Sequence, residues 1–180
     1  MVLATRLGWR GVCTVKSGIV KAMSALIALL ALACAAPTDR TGGGALAQTP
    51  VQKHGRLQVR GNRIVGKDGK PASLAGNSFF WSQWMPRFYN AGAVKWLKDD
   101  WKAGVVRVAV GVTQDGALGH PEAEIARASA VIDAAIKEGL YVLIDWHDHD
   151  AHRHEAQATD FFQKMARKYG GYDNVVYELW

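Results

Sequence analysis

Cysteine is scarce in this sequence of 180 residues, and its two examples, Cys13 and Cys34, both lie before residue 48. The rest of the chain therefore has no disulfide framework and no thiol nucleophile. That part also lacks a large excess of one charge, because residues 48–180 hold 17 Lys and Arg against 15 Asp and Glu. The formal net charge of +6 mostly reflects residues 1–47, so we expect no nucleic-acid binding.

A long apolar run occurs once, as AMSALIALLALACAA in residues 22–36, and it follows basic residues. The run is too short to span a bilayer comfortably, and ALAQ after it offers a cleavage site behind Ala47. We therefore predict a signal peptide and linker over residues 1–47, and a secreted, extracellular protein with no membrane contact after cleavage. Two alternatives stay open, which are lipid anchoring through Cys34 and a buried N-terminal helix.

Residues 48–180 alternate between strand and helix patterns. LQVRGNRIVGKDGKP in residues 57–71 predicts a small β-hairpin. Further strands are predicted to start near Leu74, Val105, Tyr141 and Val175, at separations of 31, 36 and 34 residues. Such alternation indicates βαβ units and a parallel sheet, and the near-continuous apolar strands indicate that both faces of the sheet are covered.

The segments between these strands have apolar residues at helical spacing. The residues predicted to face inward are Val94, Leu97 and Trp101; Ile125, Ala128, Ile132 and Ala135; and Phe161, Phe162, Met165 and Tyr169. Gly139 is predicted to cap the second helix, and Gly170 with Gly171 to end the third.

A doubly wound sheet and a (β/α)8 barrel both fit this order of elements. Nucleotide-binding doubly wound sheets are disfavoured, because AGNSFFW has one glycine and no G-x-x-x-x-G-K-[ST] motif occurs. In a barrel, polar residues at the C-terminal ends of strands form the site, and these positions are Asn77, Ser78, Arg107, Asp145 and His147. The charge of Arg107 is costly to bury unless it meets an anion, and pairing with a structural acid is one possibility.

Four stretches follow one another in this order: HGRLQVRGNRIVGKDGKPASLAGNSFFWSQW, WLKDDWKAGVVRVAV, GLYVLIDWHDH and FFQKMARKYGGYDNVVYELW. Together they resemble glycoside hydrolase family 5, the cellulase family of retaining (β/α)8 glycosidases, and most of all its bacterial endoglucanases. The resemblance implies a (β/α)8 TIM barrel, with about the first three and a half βα units present after the hairpin. It also implies an endo-β-1,4-glucanase that hydrolyses β-glucan with retention, uses no metal or organic cofactor, and is a monomer at full length.

The resemblance places both catalytic glutamates outside the chain, with the acid/base just after Trp180 and the nucleophile further downstream. Residues 48–180 are therefore expected to be the N-terminal part of a glycoside hydrolase catalytic domain and to be inactive alone, since retaining hydrolysis needs two carboxyl groups. Glu178 and Asp145 are the acids nearest the strand ends, and both are predicted to be structural.

Three residues that are present match supporting positions of the family. Arg107 resembles the arginine that hydrogen-bonds the nucleophile and keeps it ionised. His147 resembles a histidine of the glycone site that contacts sugar hydroxyls and the catalytic network. Trp84 resembles an aromatic sugar platform, with a packed core tryptophan as the alternative, whereas Trp81 is predicted to pack.

Phe80 and Gly111 depart from the family pattern, because many members have a histidine and a tyrosine at these positions. The details of glucose binding and the choice of polysaccharide therefore stay open.

Two other classes of function also stay open. HDHDAH, from His147 to His152, resembles the H-x-H-x-D-H zinc ligands of metallo-β-lactamase-like hydrolases, although Ala151 replaces the aspartate. A non-catalytic carbohydrate-binding fragment is the second, and the strand–helix alternation disfavours it. Otherwise His149, His152 and His154 are predicted to lie on a solvated loop with a helix N-cap.

Overall fold

The computed structural model describes residues 47–179. Nearly all of the predicted signal peptide and linker lies outside these residues. No helix among residues 47–179 is long and apolar enough to cross a membrane.

A short helix and a hairpin precede the main sheet. Helix α1 spans Pro50–His54, and Thr49 and Gln52 close its first turn with a reciprocal capping box. Strands β1, Gln58–Arg60, and β2, Arg63–Val65, pair antiparallel, and Gly61 takes the left-handed conformation in the turn between them. The predicted hairpin is therefore confirmed.

The main sheet has four parallel strands in the order β3-β4-β5-β6. They are β3, Gly76–Ser78; β4, Val105–Gly111; β5, Tyr141–His147; and β6, Val175–Glu178. Helices α2, Ala91–Asp99; α3, Pro121–Glu138; and α4, Glu155–Tyr169, follow the first three of these strands. Three βα units and a fourth strand are what the sequence predicted.

The hydrophobic core lies between the sheet and the three helices. Alternate strand residues such as Val106, Val108 and Ile144 are fully buried there, because successive side chains of a strand point to opposite faces. The helices supply the predicted residues that pack in this core: Val94, Leu97, Ile125, Ala128, Ile132, Ala135, Phe161, Phe162, Met165 and Tyr169. The register therefore leaves Arg107, Ala109 and Asp145 on the other face of the sheet.

Trp101 is an exception to the predicted core. Helix α2 ends at Asp99, and Lys102 adopts a positive φ of 56° soon after, so Trp101 does not continue the helical face. Its side chain is 60% exposed and its ring centroid lies 5.5 Å from that of Trp96. Gly139 does cap α3, in the left-handed conformation with φ 71°, as predicted.

Candidate active site

The polar face of the sheet brings together residues from the C-terminal parts of four strands. The register sets Ser78 opposite Arg107 on β3 and β4, and Asp145 opposite Glu178 on β5 and β6. His147 is the last residue of β5. The predicted candidates Arg107 and His147 therefore lie in one cluster, together with the two acids that were predicted to be structural.

Arg107 is the centre of this cluster. Its Nε lies 2.6 Å from Oε2 of Glu178 and its Nη2 lies 3.0 Å from Oε1, which is the bidentate arrangement that favours arginine. Nη1 also donates to the Ser78 hydroxyl at 3.2 Å. The Glu178 carboxylate raises the pKa of Arg107, and the guanidinium in turn lowers the pKa of Glu178. The single charge of β4 thus meets an acid of the next but one strand.

Asp145 lies buried beside Arg107 and His147. Its Oδ2 is 2.8 Å from Nη2 of Arg107 and 3.0 Å from Nδ1 of His147. Arg107 therefore forms a close ion pair with Asp145, but neither contact has hydrogen-bond geometry, and neither Asp145 oxygen accepts a hydrogen bond from residues 47–179. Burial raises the pKa of Asp145 to about 7; Arg107 opposes this rise, whereas Glu178 adds to it. Asp145 is a poorly solvated acid whose protonation changes near neutral pH.

His147 presents its Nδ1 to this charged cluster, at 3.3 Å from Nη2 of Arg107. Burial lowers the pKa of His147, and the charges of Arg107 and His149 lower it further. The imidazole is therefore neutral at pH 7, in a form that can both donate and accept hydrogen bonds.

Two stacked tryptophans lie next to the cluster. The rings of Trp81 and Trp84 are nearly parallel, at 11°, with centroids 4.7 Å apart. Trp81 also meets the ring of His147 at 4.6 Å in a nearly perpendicular contact. Trp81 packs, as predicted, but against residues of the site rather than the core. Trp84 is 44% exposed, which excludes the alternative of a packed core tryptophan.

A cleft runs between the β3 end and the cluster, and it is lined by Ser78, Phe79, Phe80, Trp81, Arg107, Ala109 and His147. A larger depression lies between α4 and β6, around Phe162 and Leu179, but it holds none of the charged residues of the site. We take the smaller cleft as the candidate site because a binding or catalytic site needs polar side chains that converge on it, and the larger depression has none of the charged cluster.

Gln83 lies beside the end of β4, and the sequence pattern did not single it out. A Cβ added to Gly111 would lie 1.7 Å from the Gln83 side-chain oxygen, so Gln83 fills the space of a side chain at position 111. Its Nε2 donates to the carbonyl of Thr113 at 3.2 Å. Gly111, which stands where many family members have a tyrosine, could have indicated this, because a missing side chain at a strand end leaves room for a neighbouring one.

The histidine loop has its own pairing. Nδ1 of His154 lies 2.6 Å from Oδ2 of the buried Asp148, and Asp148 also accepts from the Asp150 N–H at 3.0 Å. His154 occupies the N-cap position of α4 without a side-chain cap, so the predicted N-cap interaction is absent there. His149 instead packs its ring against Trp81 at 5.4 Å.

The metal-hydrolase alternative needs several ligands at one point. Among residues 47–179, no group of three or more His, Cys, Asp or Glu side chains is arranged to hold a metal ion. His147 lies in the Arg107 cluster, His149 packs against the Trp81 ring, and His152 lines the depression beside α4, so this alternative has no converging ligand set in the part of the chain that is described.

A parallel sheet with its polar cluster at the strand C-terminal ends is typical of (β/α)8 enzymes. The family described as Cellulase (glycosyl hydrolase family 5) matches residues 65–180. The chain therefore belongs to glycoside hydrolase family 5, the cellulase family, and its sheet is part of the TIM barrel of that family.

Curated relatives agree with this assignment. Endoglucanase Z of Dickeya dadantii is 45% identical over 128 residues, which cover 69% of this chain and 30% of that protein. Endoglucanase N of Pectobacterium atrosepticum is 39% identical over 138 residues, which cover 75% of this chain and 31% of that protein. The chain thus spans about a third of the length of the curated relatives it matches.

Solved structures show the same fold. The catalytic domain of Thermobifida fusca endoglucanase Cel5A superposes with a TM-score of 0.69 at 32% identity, over 72% of this chain and 44% of that chain. A structure of the same domain in complex with cellotetraose matches equally well. A structure from Cytophaga hutchinsonii gives a TM-score of 0.71 at 49% identity, over 72% of this chain and 42% of that one.

Proposed function

We propose that the gene product is a retaining endo-β-1,4-glucanase that cuts O-glycosidic bonds within β-glucan chains. The observation that carries the proposal is the Arg107–His147 cluster beside the exposed Trp84, at the C-terminal ends of parallel strands. Family membership and the endoglucanase relatives support the same activity. The chemistry requires no metal or organic cofactor, and the full-length protein acts as a monomer.

The supporting residues have distinct roles in this proposal. Arg107 supplies a fixed positive charge that keeps a neighbouring carboxylate ionised, as it does for Glu178 in this structure. His147, neutral at pH 7, exchanges hydrogen bonds with sugar hydroxyls. The indole of Trp84 stacks on the apolar C–H face of a glucose ring.

Residues 48–180 form the N-terminal part of the catalytic domain in this proposal and do not hydrolyse glucan by themselves. A retaining mechanism needs two carboxyl groups about 5–5.5 Å apart at the scissile bond. Asp145 is fully buried, and Glu178 is held by two hydrogen bonds from Arg107. These two acids therefore cannot supply the pair, and we place both catalytic carboxyl groups outside the described residues.

The test compares the full-length gene product with residues 48–180 on a soluble β-1,4-glucan. We expect the gene product to release reducing ends at internal positions and to give β-configured products first, as proton NMR of the anomeric signals can show. We expect no release from residues 48–180. The proposal is wrong if the gene product is inactive, or if a chelator abolishes its activity, which would restore the metal-hydrolase alternative.

Export is part of the same proposal, because a glucan polymer has to be cut outside the cell. Residues 1–47 serve as signal peptide and linker, with cleavage after Ala47 and without lipid attachment at Cys34. N-terminal sequencing of the protein from the culture medium of its source should begin at Gln48. A mature protein that begins at an acylated Cys34 would contradict this.

A further inference from the structure

The Trp81–Trp84 pair is attached to the sheet through Ser82, one of the two residues between its members. The backbone N–H of Phe79 donates to the Arg107 carbonyl at 2.9 Å, and the N–H of Ser82 donates to the Ala109 carbonyl at 3.1 Å. Residues 79–82 therefore continue along β4 beyond the end of β3. Ser82 is fully buried in this segment.

Both hydrogen-bonding functions of the Ser82 hydroxyl are in use. The oxygen accepts the backbone N–H of Gly111 at 3.0 Å, and the hydroxyl donates to Oε2 of Glu124 on α3. A serine hydroxyl has one proton to donate, so this pairing fixes its rotamer. One side chain thus connects the tryptophan segment to the end of β4 and to α3.

Glu124 is an unusual residue for a helix face in the core. It is fully buried, and Arg127, one turn further along α3, binds its other carboxylate oxygen. A buried carboxylate costs desolvation energy, and apolar residues of similar volume often give equal or better stability. Polar groups retained in a core can serve to fix one arrangement of the elements they join.

We propose that Glu124, acting through the Ser82 hydroxyl, is a positioning residue that holds the Trp81–Trp84 pair in the orientation needed to stack on a glucan chain. The inference rests on the proposed glucanase function for its ligand and on the observed contacts for its geometry. Glu124 itself does not touch the sugar; it determines where the two indoles stand relative to Arg107 and His147.

The experiment uses the full-length gene product with Ser82→Ala, Glu124→Gln and the double variant. Glu122→Gln is the matched control, because Glu122 lies on the same helix but is exposed and pairs with Lys164. Three quantities are measured for each protein: the melting temperature, the near-ultraviolet circular dichroism of tryptophan, and the dissociation constant for cellotetraose by calorimetry. Trp84→Ala identifies the part of the dichroism that belongs to the stacked pair.

We expect Ser82→Ala to lose the dichroism assigned to the pair and to weaken cellotetraose binding about tenfold, as for the loss of one aromatic contact. Glu124→Gln should move both quantities in the same direction, and the double variant should add little to Ser82→Ala, since the two residues act as one unit. Glu122→Gln should leave both unchanged.

Unchanged dichroism and unchanged affinity in Ser82→Ala would overturn the inference, even if the melting temperature falls, because a purely structural contact lowers stability alone. Independent, additive effects of the two substitutions would also overturn it. Failure of the unmodified protein to bind cellotetraose would instead contradict the proposed function, and the dichroism would still decide whether Glu124 positions the pair.

Discussion

At the scale of single residues, the sequence identified Arg107 and His147 as site residues, but it did not show which acids they contact. Arg107 and His147 were predicted because polar residues at the ends of apolar strands are costly unless they have a task. Pairing of Arg107 with a structural acid was one possibility, but the spacing along the chain could not identify Glu178 as that acid. The rise in the pKa of Asp145 depends on burial, which only the packed structure reveals.

The protonation of Asp145 gives a prediction about stability. Its pKa rises from 3.8 to about 7 on folding, so the folded state holds the proton more tightly than the unfolded chain. This contribution to stability is present below about pH 4 and is lost as the pH rises to about 7. Asparagine cannot lose this proton, so Asp145→Asn should not lose stability in this way. We therefore expect the free energy of unfolding of the variant, relative to that of the parent, to increase as the pH rises from about 4 to about 7.

Urea denaturation of the full-length gene product at several pH values between 4 and 7 measures the effect. Asp160→Asn is the control, because it removes an exposed carboxyl group that lies on α4, away from the polar face of the sheet. Stability curves of the parent and Asp145→Asn that run parallel with pH would show that Asp145 does not titrate as its surroundings indicate.

Trp84 and Trp101 provide a second prediction at this scale. Both are exposed tryptophans, but only Trp84 stacks beside the charged cluster. Trp84→Ala should weaken cellotetraose binding about tenfold, because the contact between a glucose ring and the face of an indole contributes on the order of 1.5 kcal/mol. Trp101→Ala should leave the affinity unchanged. Calorimetric titration of both variants checks this, and equal losses would remove Trp84 from the proposed binding site.

At the scale of elements, the spacing of apolar residues predicted which face of each helix is buried. A strand alternates every two residues and a helix every 3.6, so the faces of α3 and α4 followed from their apolar residues. Trp101 was misplaced because the end of α2 depends on a left-handed turn at Lys102 that has no glycine to signal it. Trp81 was assigned to packing correctly, but its partners are Trp84 and His147, which a one-dimensional pattern does not bring together.

The end of α3 gives a prediction about an element. Gly139 has a positive φ of 71°, and a Cβ there would lie 2.4 Å from the Thr49 hydroxyl oxygen. Gly139→Ala should therefore destabilise the fold by about 1–2 kcal/mol or more, through both backbone strain and the clash. Gly171→Ala is the control, since no atom lies within 4 Å of the Cβ it would add. Urea denaturation should show a lower midpoint for Gly139→Ala alone, and equal midpoints would contradict the structure.

At the scale of the whole molecule, the four-stranded sheet ends in two edge strands within the described residues, β3 and β6. Unpaired strand edges and partly covered apolar surfaces favour association with other chains. Exposed apolar side chains near β3 and α2 include Phe80, Phe88 and Trp96.

We therefore predict that residues 48–180, produced alone, associate and unfold without a single cooperative transition. Sedimentation velocity should show species larger than a monomer, and calorimetry should show a broad transition. A monomeric protein with one sharp melting transition would mean that three and a half βα units are sufficient for a stable fold.

The strand register has a consequence for how this sequence can change during evolution. Arg107, Asp145 and Glu178 meet on the polar face of the sheet only because each occupies the correct one of two alternating strand positions. Insertion of one residue within β5 ahead of Ile144 would turn Asp145 and His147 towards the core and bring Ile144 and Trp146 onto the polar face of the sheet. Such an insertion would disrupt the hydrophobic core and the polar cluster at once. Insertions and deletions among descendants of this gene should therefore be confined to the loops, whereas the strands should accept substitutions only.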